Sequence, residues 1–370
     1  MKCLFLLLIT GWLVTTGRAE DPKTLEIGAK APDFNLTGVD NKPYSLRSFA
    51  KADVLVVVFT CNHCPTAQAY EDRLIRFTAD YKNKSVQVVA ISPNDPEAVS
   101  LDELGYSDLS DSFDEMKIRA SEKGYTFPYL YDGATQTTAR AYGAVATPHV
   151  FVFDKNRTLR YVGRFDDVEK PTGKPNHNDA RDAVDALLAG KPVTNPTTKT
   201  FGCSVKWKEK TDWIQKTRER WAKEAVTLES LNEAAARKLL KNDTDKLRVV
   251  NVWATWCGPC VVEFPDLVDT YRMYRGRDFE FVSITTDKPE AREKALKFLK
   301  SKQASNPNYI LDGVDIYTFI EIVDPKWQGA LPYTLVIEPG GKVVYRKQGP
   351  VDLREFRRAI VDNPIVGRYY

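Results

Sequence analysis

Five cysteines beyond residue 20 set what this chain can do chemically. Four of them form two Cys-x-x-Cys pairs, Cys61-Asn62-His63-Cys64 and Cys257-Gly258-Pro259-Cys260. Two cysteines at this spacing on a strand-to-helix turn pass between dithiol and disulfide with little backbone movement. The attacking species is the thiolate, and a helix N-terminus favours it because unpaired amides and the helix dipole stabilise negative charge. Cys61 and Cys257 are therefore expected to attack, and Cys64 and Cys260 to resolve the mixed disulfide. His63 stands between its cysteines, where it is expected to stabilise a thiolate and make the first site the more oxidising. Gly258-Pro259 brings no charge, so the second site is expected to be the more reducing.

Other uses of these cysteines fit the pattern less well. Zinc knuckles gather four ligands around one ion, whereas each pair here ends an apolar strand and opens a helical stretch, so no metal is expected. A static disulfide closing two residues removes little chain entropy and stabilises little. Cys203 has no sequence partner and reads either as a small buried residue or as a relay thiol near Cys61. His149 reads as a strand residue beside the first site, and His177 as an exposed loop residue.

The elements that must position the pairs occur twice in the same order. Val54 to Phe59 and Leu247 to Trp253 are continuous apolar runs, as in parallel strands buried on both faces. A helix after each pair is expected from Ala67 to about Tyr81 and from Cys257 to about Tyr274. Further strands follow at Val86–Ile91 and Phe279–Ile284. Each copy closes with a hairpin, Val150–Phe153 with Leu159–Val162 and Tyr333–Ile337 with Lys342–Tyr345, and then a helix. Alternating strands and helices predict an α/β chain with mixed sheets. At 370 residues two domains are expected. The predicted boundaries are a leader over 1–19, a first domain over 20–190, a Pro/Thr-rich linker and connector over 191–226, and a second domain over 227–370.

A proline opens the penultimate strand of each copy, in Thr147-Pro148 and Leu331-Pro332. Its recurrence beside a cysteine pair predicts a cis bond facing the sulfurs, with backbone free to pair with an extended substrate. With these features together, the second copy resembles exported thioredoxin-fold thiol–disulfide oxidoreductases of the TlpA/ResA type. Asn251-Val-Trp-Ala-Thr-Trp-Cys-Gly-Pro-Cys260, Glu263-Phe264-Pro265 and Pro332 carry the likeness over roughly Leu228 to Val361. It implies two tandem thioredoxin-like domains, with Asn251 where thioredoxin has a buried aspartate and Glu263 exchanging protons with Cys260. The first copy is similar to the AhpC/TSA redoxins, through Ile27-Gly-Ala-Lys-Ala-Pro-Asp-Phe-Asn-Leu36. The peroxiredoxin pattern Pro-x3-Thr-x2-Cys is absent: counted from Cys64, its threonine position holds Cys61 and its proline position Val57. Thiol–disulfide exchange is thus expected over peroxide reduction, with a peroxidase or a non-catalytic binding domain as the alternatives.

Composition limits the partners. Apolar residues make up 43% and charged residues 28%, and the net charge is +3, so no basic face is built for nucleic acid. Lys2, the apolar stretch Leu4–Val14 and Gly17-Arg18-Ala19 read as a cleaved secretory signal, too short to span a bilayer. The chain is expected to be secreted or periplasmic and to exchange with protein thiols or disulfides and an unidentified electron donor or acceptor. No cofactor and no stable membrane insertion are expected. No nucleotide-binding glycine loop is visible.

Overall fold

A computed structural model describes residues 22–170, 172–209 and 211–369. The expected leader lies outside the described residues. In the first half the elements run β1 (Leu36–Gly38), β2 (Pro43–Tyr44), β3 (Val54–Phe59), α1 (Pro65–Tyr81), β4 (Val86–Ser92), α2 (Phe113–Lys123) and β5 (Tyr129–Tyr131). They continue with α3 (Thr137–Tyr142), β6 (Ala146–Thr147), β7 (His149–Phe153), β8 (Leu159–Gly163) and α4 (Asp179–Leu188). A two-residue strand β9 (Cys203–Ser204) and helix α5 (Asp212–Ala222) lead to the second half. There β10 (Glu229–Leu231), α6 (Glu233–Lys241), β11 (Leu247–Trp253), α7 (Gly258–Tyr274) and β12 (Phe279–Thr285) come first. Then follow α8 (Arg292–Ser301), β13 (Asn308–Leu311), α9 (Ile316–Val323), β14 (Tyr333–Ile337), β15 (Val343–Gln348) and α10 (Leu353–Val361).

The two halves build the same sheet. The first has the order β2-β1-β5-β4-β3-β7-β8 and the second β10-β13-β12-β11-β14-β15. In each, the strand before the cysteines pairs parallel with the next strand and antiparallel with the one opened by the proline. β3 and β11 are buried at every residue, which is why both read as unbroken apolar runs. This is the thioredoxin-like arrangement, present twice in tandem. Both Thr147-Pro148 and Leu331-Pro332 are cis.

The stretch expected to be a linker is instead packed on the first domain. Val193 and Phe201 lie against the core on one face of the sheet, and Val205 and Trp207 are buried in the core on the other. β9 pairs antiparallel with β6, Cys203 opposite Thr147. The Gln136 amide donates to the Lys206 carbonyl at 2.8 Å, and the Lys208 N–H donates to Gln136 Oε1 at 2.9 Å. A free linker would leave these groups in water.

The loop 93–112 between β4 and α2 joins the domains. Its Val99 and Leu104 are buried in the second domain's core with Leu267, Met273, Tyr274 and Phe356. The Tyr274 hydroxyl donates to the Ser107 carbonyl at 2.7 Å, and Arg277 to the Gly105 carbonyl at 2.9 Å. Asp108, fully buried, takes Arg358 and Arg368. A Cβ on Gly105 would lie 2.7 Å from the Met273 carbonyl oxygen, so only glycine permits this approach.

Candidate functional site

The second pair sits at the start of α7. Cys257 is the N-cap of α7 and its sulfur accepts the Cys260 N–H at 3.3 Å. Cys257 and Cys260 are joined in a disulfide across the first helical turn. Glu263 lies three residues further on, on the same helix face as Cys260. Its carboxylate accepts the Val351 N–H at 3.0 Å while its other oxygen has no hydrogen-bond partner. Burial pushes the Glu263 carboxyl up to about 7, against the pull of the Val351 N–H and the nearby Asn251 side chain. Asn251 spans the sheet to the Thr334 hydroxyl at 3.0 Å. Around the buried disulfide, Trp256 and Val262 are exposed at 67% and 78%, an apolar rim fit for a protein partner.

The first site is built in a different register. α1 begins at Pro65, so its N-cap is Cys64 and not Cys61. Proline is well suited to the first helical position, where its missing N–H is no loss. Both α1 and α7 are 17 residues long and end in tyrosine. The strands agree: Phe59 pairs with His149 and Val252 with Tyr333, which sets Thr60 level with Pro148 and Trp253 level with Pro332. The fourth residue after Thr60 is Cys64, and the fourth after Trp253 is Cys257. Cys64 therefore corresponds to Cys257, Cys61 to Ala254, and Ala67 stands where Cys260 would be. The place at the helix N-cap expected of Cys61 is held by Cys64 instead.

Electrostatics follow the helix. Burial raises Cys64, but hydrogen bonding from Cys203 and Cys61, the charge of His63 and the Ala67 amide outweigh it, leaving Cys64 well below the ordinary thiol range. Cys61 is pushed well above that range by burial, by its hydrogen bond to Cys64 and by the nearby Asp111 charge. When protonated, the Cys64 thiol donates to the Thr147 carbonyl at 3.3 Å. Cys61 Sγ lies 3.1 Å from the Thr147 hydroxyl.

His63 does not hydrogen-bond a cysteine. Its Nδ1 lies 2.6 Å from Asp111, a residue of the 93–112 loop, and its Nε2 is buried without a partner. Asp111 also accepts the Asn62 N–H at 2.8 Å, the His63 N–H at 3.1 Å and the Asn94 amide at 2.7 Å. These bonds hold Asn62 and His63 outside the helix. Burial opposes charge on both partners, yet their mutual attraction wins: His63 lies above 6.5 and Asp111 below 3.8. Cys61, His63 and Asp111 place ligand-type atoms within 4.8 Å of one another, and they are buried. The Asp111 oxygens are already committed to four donors, which is a poor preparation for an ion.

Cys203 packs against the first pair, near Cys61 as expected and also against Cys64, to whose Sγ its N–H donates at 3.4 Å. His149 is buried against Phe151, accepts the Val145 N–H, and is pushed down to about 4 by burial. That is a structural histidine. Asp111, Asn94 and Thr147 are the participants that sequence reasoning missed. Only Thr147, next to Pro148, carried a positional signal.

The site and fold define a thioredoxin-like thiol protein with two cysteine centres of different register. The AhpC/TSA family matches residues 27–162 and 221–346, and the chain belongs to that family. It is similar to the thiol-disulfide oxidoreductase ResA of Bacillus subtilis, with 33% identity over 95 residues, which is 26% of this chain and 49% of that protein. The chain thus spans about half the length of this curated relative. Alkyl hydroperoxide reductase E of Mycobacterium bovis is 28% identical over 176 residues, 45% of this chain and 99% of that protein. Among solved structures, an uncharacterized conserved protein from Geobacillus kaustophilus is 39% identical over 52% of this chain and 98% of its own, with a TM-score of 0.45. Among the described residues no helix is long and apolar enough to cross a membrane.

Proposed function

We propose that this chain is an exported thiol–disulfide oxidoreductase that exchanges disulfides with protein partners through two unlike centres. The observation that carries the reading is the Cys257–Cys260 disulfide on the first turn of α7, with Glu263 one turn further and an exposed apolar rim around it. Reduced Cys257 attacks a partner disulfide, Cys260 releases the partner from the mixed disulfide, and Glu263 takes the Cys260 proton. The likeness to ResA supports this chemistry. Leu331 packs on the cluster that holds Cys257 and Cys260, and Pro332 after it offers backbone to an extended partner. Export rests on the Leu4–Val14 stretch.

At the first centre Cys64 is the attacking thiol, held acidic beside charged His63, so this centre is the more oxidising of the two. Pro148 follows Thr147, whose hydroxyl and carbonyl meet Cys61 and Cys64. The domains touch at the C-terminal end of α7, where Met273 and Tyr274 meet the 93–112 loop. Cys257 is at the other end of that helix, about 24 Å away at 1.5 Å per residue. We read the two centres as serving separate partners. Reduction of insulin by variants retaining one centre each tests the reading: activity without Cys257 and Cys260 equal to wild type would refute the role of the second centre.

Peroxide reduction is a second reading, favoured by a helix-capping Cys64 and by the likeness to an alkyl hydroperoxide reductase. Rapid oxidation of Cys64 by hydrogen peroxide in stopped flow would support it over disulfide exchange.

A further inference from the structure

β9 occupies the edge beside Pro148 where an extended partner would lie. It pairs antiparallel with β6 in the register Ala146–Ser204 and Thr147–Cys203. Main-chain pairing along a strand edge is a general way to hold an extended peptide. Here the strand belongs to the chain itself. Gly202 makes the approach possible: its φ is +129°, and a Cβ there would lie 2.1 Å from the Thr147 carbonyl oxygen.

We propose that Cys203 is a third redox thiol of the first centre, which closes a Cys64–Cys203 disulfide and makes β9 a built-in occupant of the partner groove. The Cys203 N–H already donates to Cys64 Sγ, and Cys203 packs against Cys61, Cys64 and Ala67. The Cys64 and Cys203 side chains already meet in a hydrogen bond. Ala67 stands where the resolving cysteine of the second centre stands, so this centre takes its resolving thiol from the connector. Cys64 has no exposed surface and Cys61 only 3%, whereas Cys203 is partly exposed. A protein partner reaches Cys64 only by displacing β9. The connector is anchored nearby, since the Lys206 N–H donates to Asn94 Oδ1 at 2.9 Å and Asn94 donates to Asp111.

The step rests on the exchange reading given above. With β9 displaced, the Cys64 thiolate attacks a partner disulfide, one partner sulfur leaves and takes a proton, and a mixed disulfide remains. Cys203 gives up its proton and attacks the Cys64 sulfur. The bond to the partner breaks, and the partner's second sulfur takes that proton. Two protein thiols become one disulfide, and one partner disulfide becomes two thiols.

Peptide mapping of the full chain tests this. The protein is fully reduced, exposed to excess oxidised glutathione, alkylated, and digested with trypsin without reduction. Cys61 and Cys64 fall in the peptide Ala52–Arg73, and Cys203 in Thr200–Lys206. The proposal expects these two peptides linked in wild type and in Cys61→Ser, with the link lost in Cys64→Ser. A closed Cys61–Cys64 bond with Cys203 fully alkylated would overturn the proposal and leave disulfide exchange at this centre standing. No disulfide on any of the three, while Cys257–Cys260 forms, would overturn both.

Discussion

Cys64 and Cys257 occupy the same position in the two domains, each capping a helix of 17 residues that starts one residue later. The two Cys-x-x-Cys motifs therefore look alike in sequence while presenting different cysteines to the helix dipole. Cys61 lies upstream of the equivalent position, under the Thr147 hydroxyl and beside the Asp111 charge. Cys260 lies downstream, inside the first turn of α7. The consequences for each centre can be measured separately.

Asp111→Asn should destabilise the protein strongly. Removing one partner of a buried ion pair costs about 3–5 kcal/mol. The loss depends on pH with a definite sign. Asp111 is lowered, so its contribution is present above its unfolded value of 3.8 and disappears as pH falls through its folded value. His63 is raised, so its contribution is full below 6.5 and disappears as pH rises through its folded value. Urea unfolding of both proteins should show the largest gap between roughly pH 4 and 6.5. A gap that keeps growing above neutral pH would contradict the charged pair.

Glu263→Gln should act on the second centre alone. The Glu263 carboxyl is raised from 4.5 to about 7, so the folded state holds its proton longer than the unfolded chain does. Stability should then fall as pH rises between those values, and the glutamine variant should lose that slope. Its disulfide-exchange rate should also lose the inflection near pH 7, with a drop of about 100-fold or more at neutral pH. An unchanged pH–rate profile would assign Glu263 to structure only.

Gly105→Val should loosen the contact between the domains. The added Cβ meets the Met273 carbonyl oxygen, and overpacking of this kind costs about 1–3 kcal/mol. The same loop carries Asp111, so Cys61 and Cys64 should become more reactive toward alkylating reagents under native conditions. An unchanged alkylation rate would show that the loop shields them without the second domain's support.

Much of this architecture is legible in the sequence. β3 and β11 match their expected spans because nothing in a strand buried on both faces interrupts the apolar run. Pro65 marks the start of α1 by the rule that places proline at the first helical position, whereas the Cys-x-x-Cys spacing points to Cys61 as the cap. The connector misled through composition. Its prolines and threonines suggest a linker, while Phe201, Cys203, Val205 and Trp207 alternate in the period-two pattern of a packed extended segment. Asp111 gave no local sign. It reaches His63 from a loop 48 residues away, and only the folded chain brings them together.

The order of acidity at the first centre is the most direct test of this assignment. Thiolate absorbance in the ultraviolet, followed against pH in the reduced chain with Cys203, Cys257 and Cys260 replaced by serine, reports it without requiring access for a reagent. With Cys61→Ser added, Cys64 keeps the His63 charge, the Ala67 amide and serine hydroxyls in place of the Cys61 and Cys203 donors, and should ionise below Cys61 measured with Cys64→Ser added instead, which keeps its burial and the Asp111 charge. The opposite order, Cys61 ionising below Cys64, would contradict the register on which the two centres have been assigned.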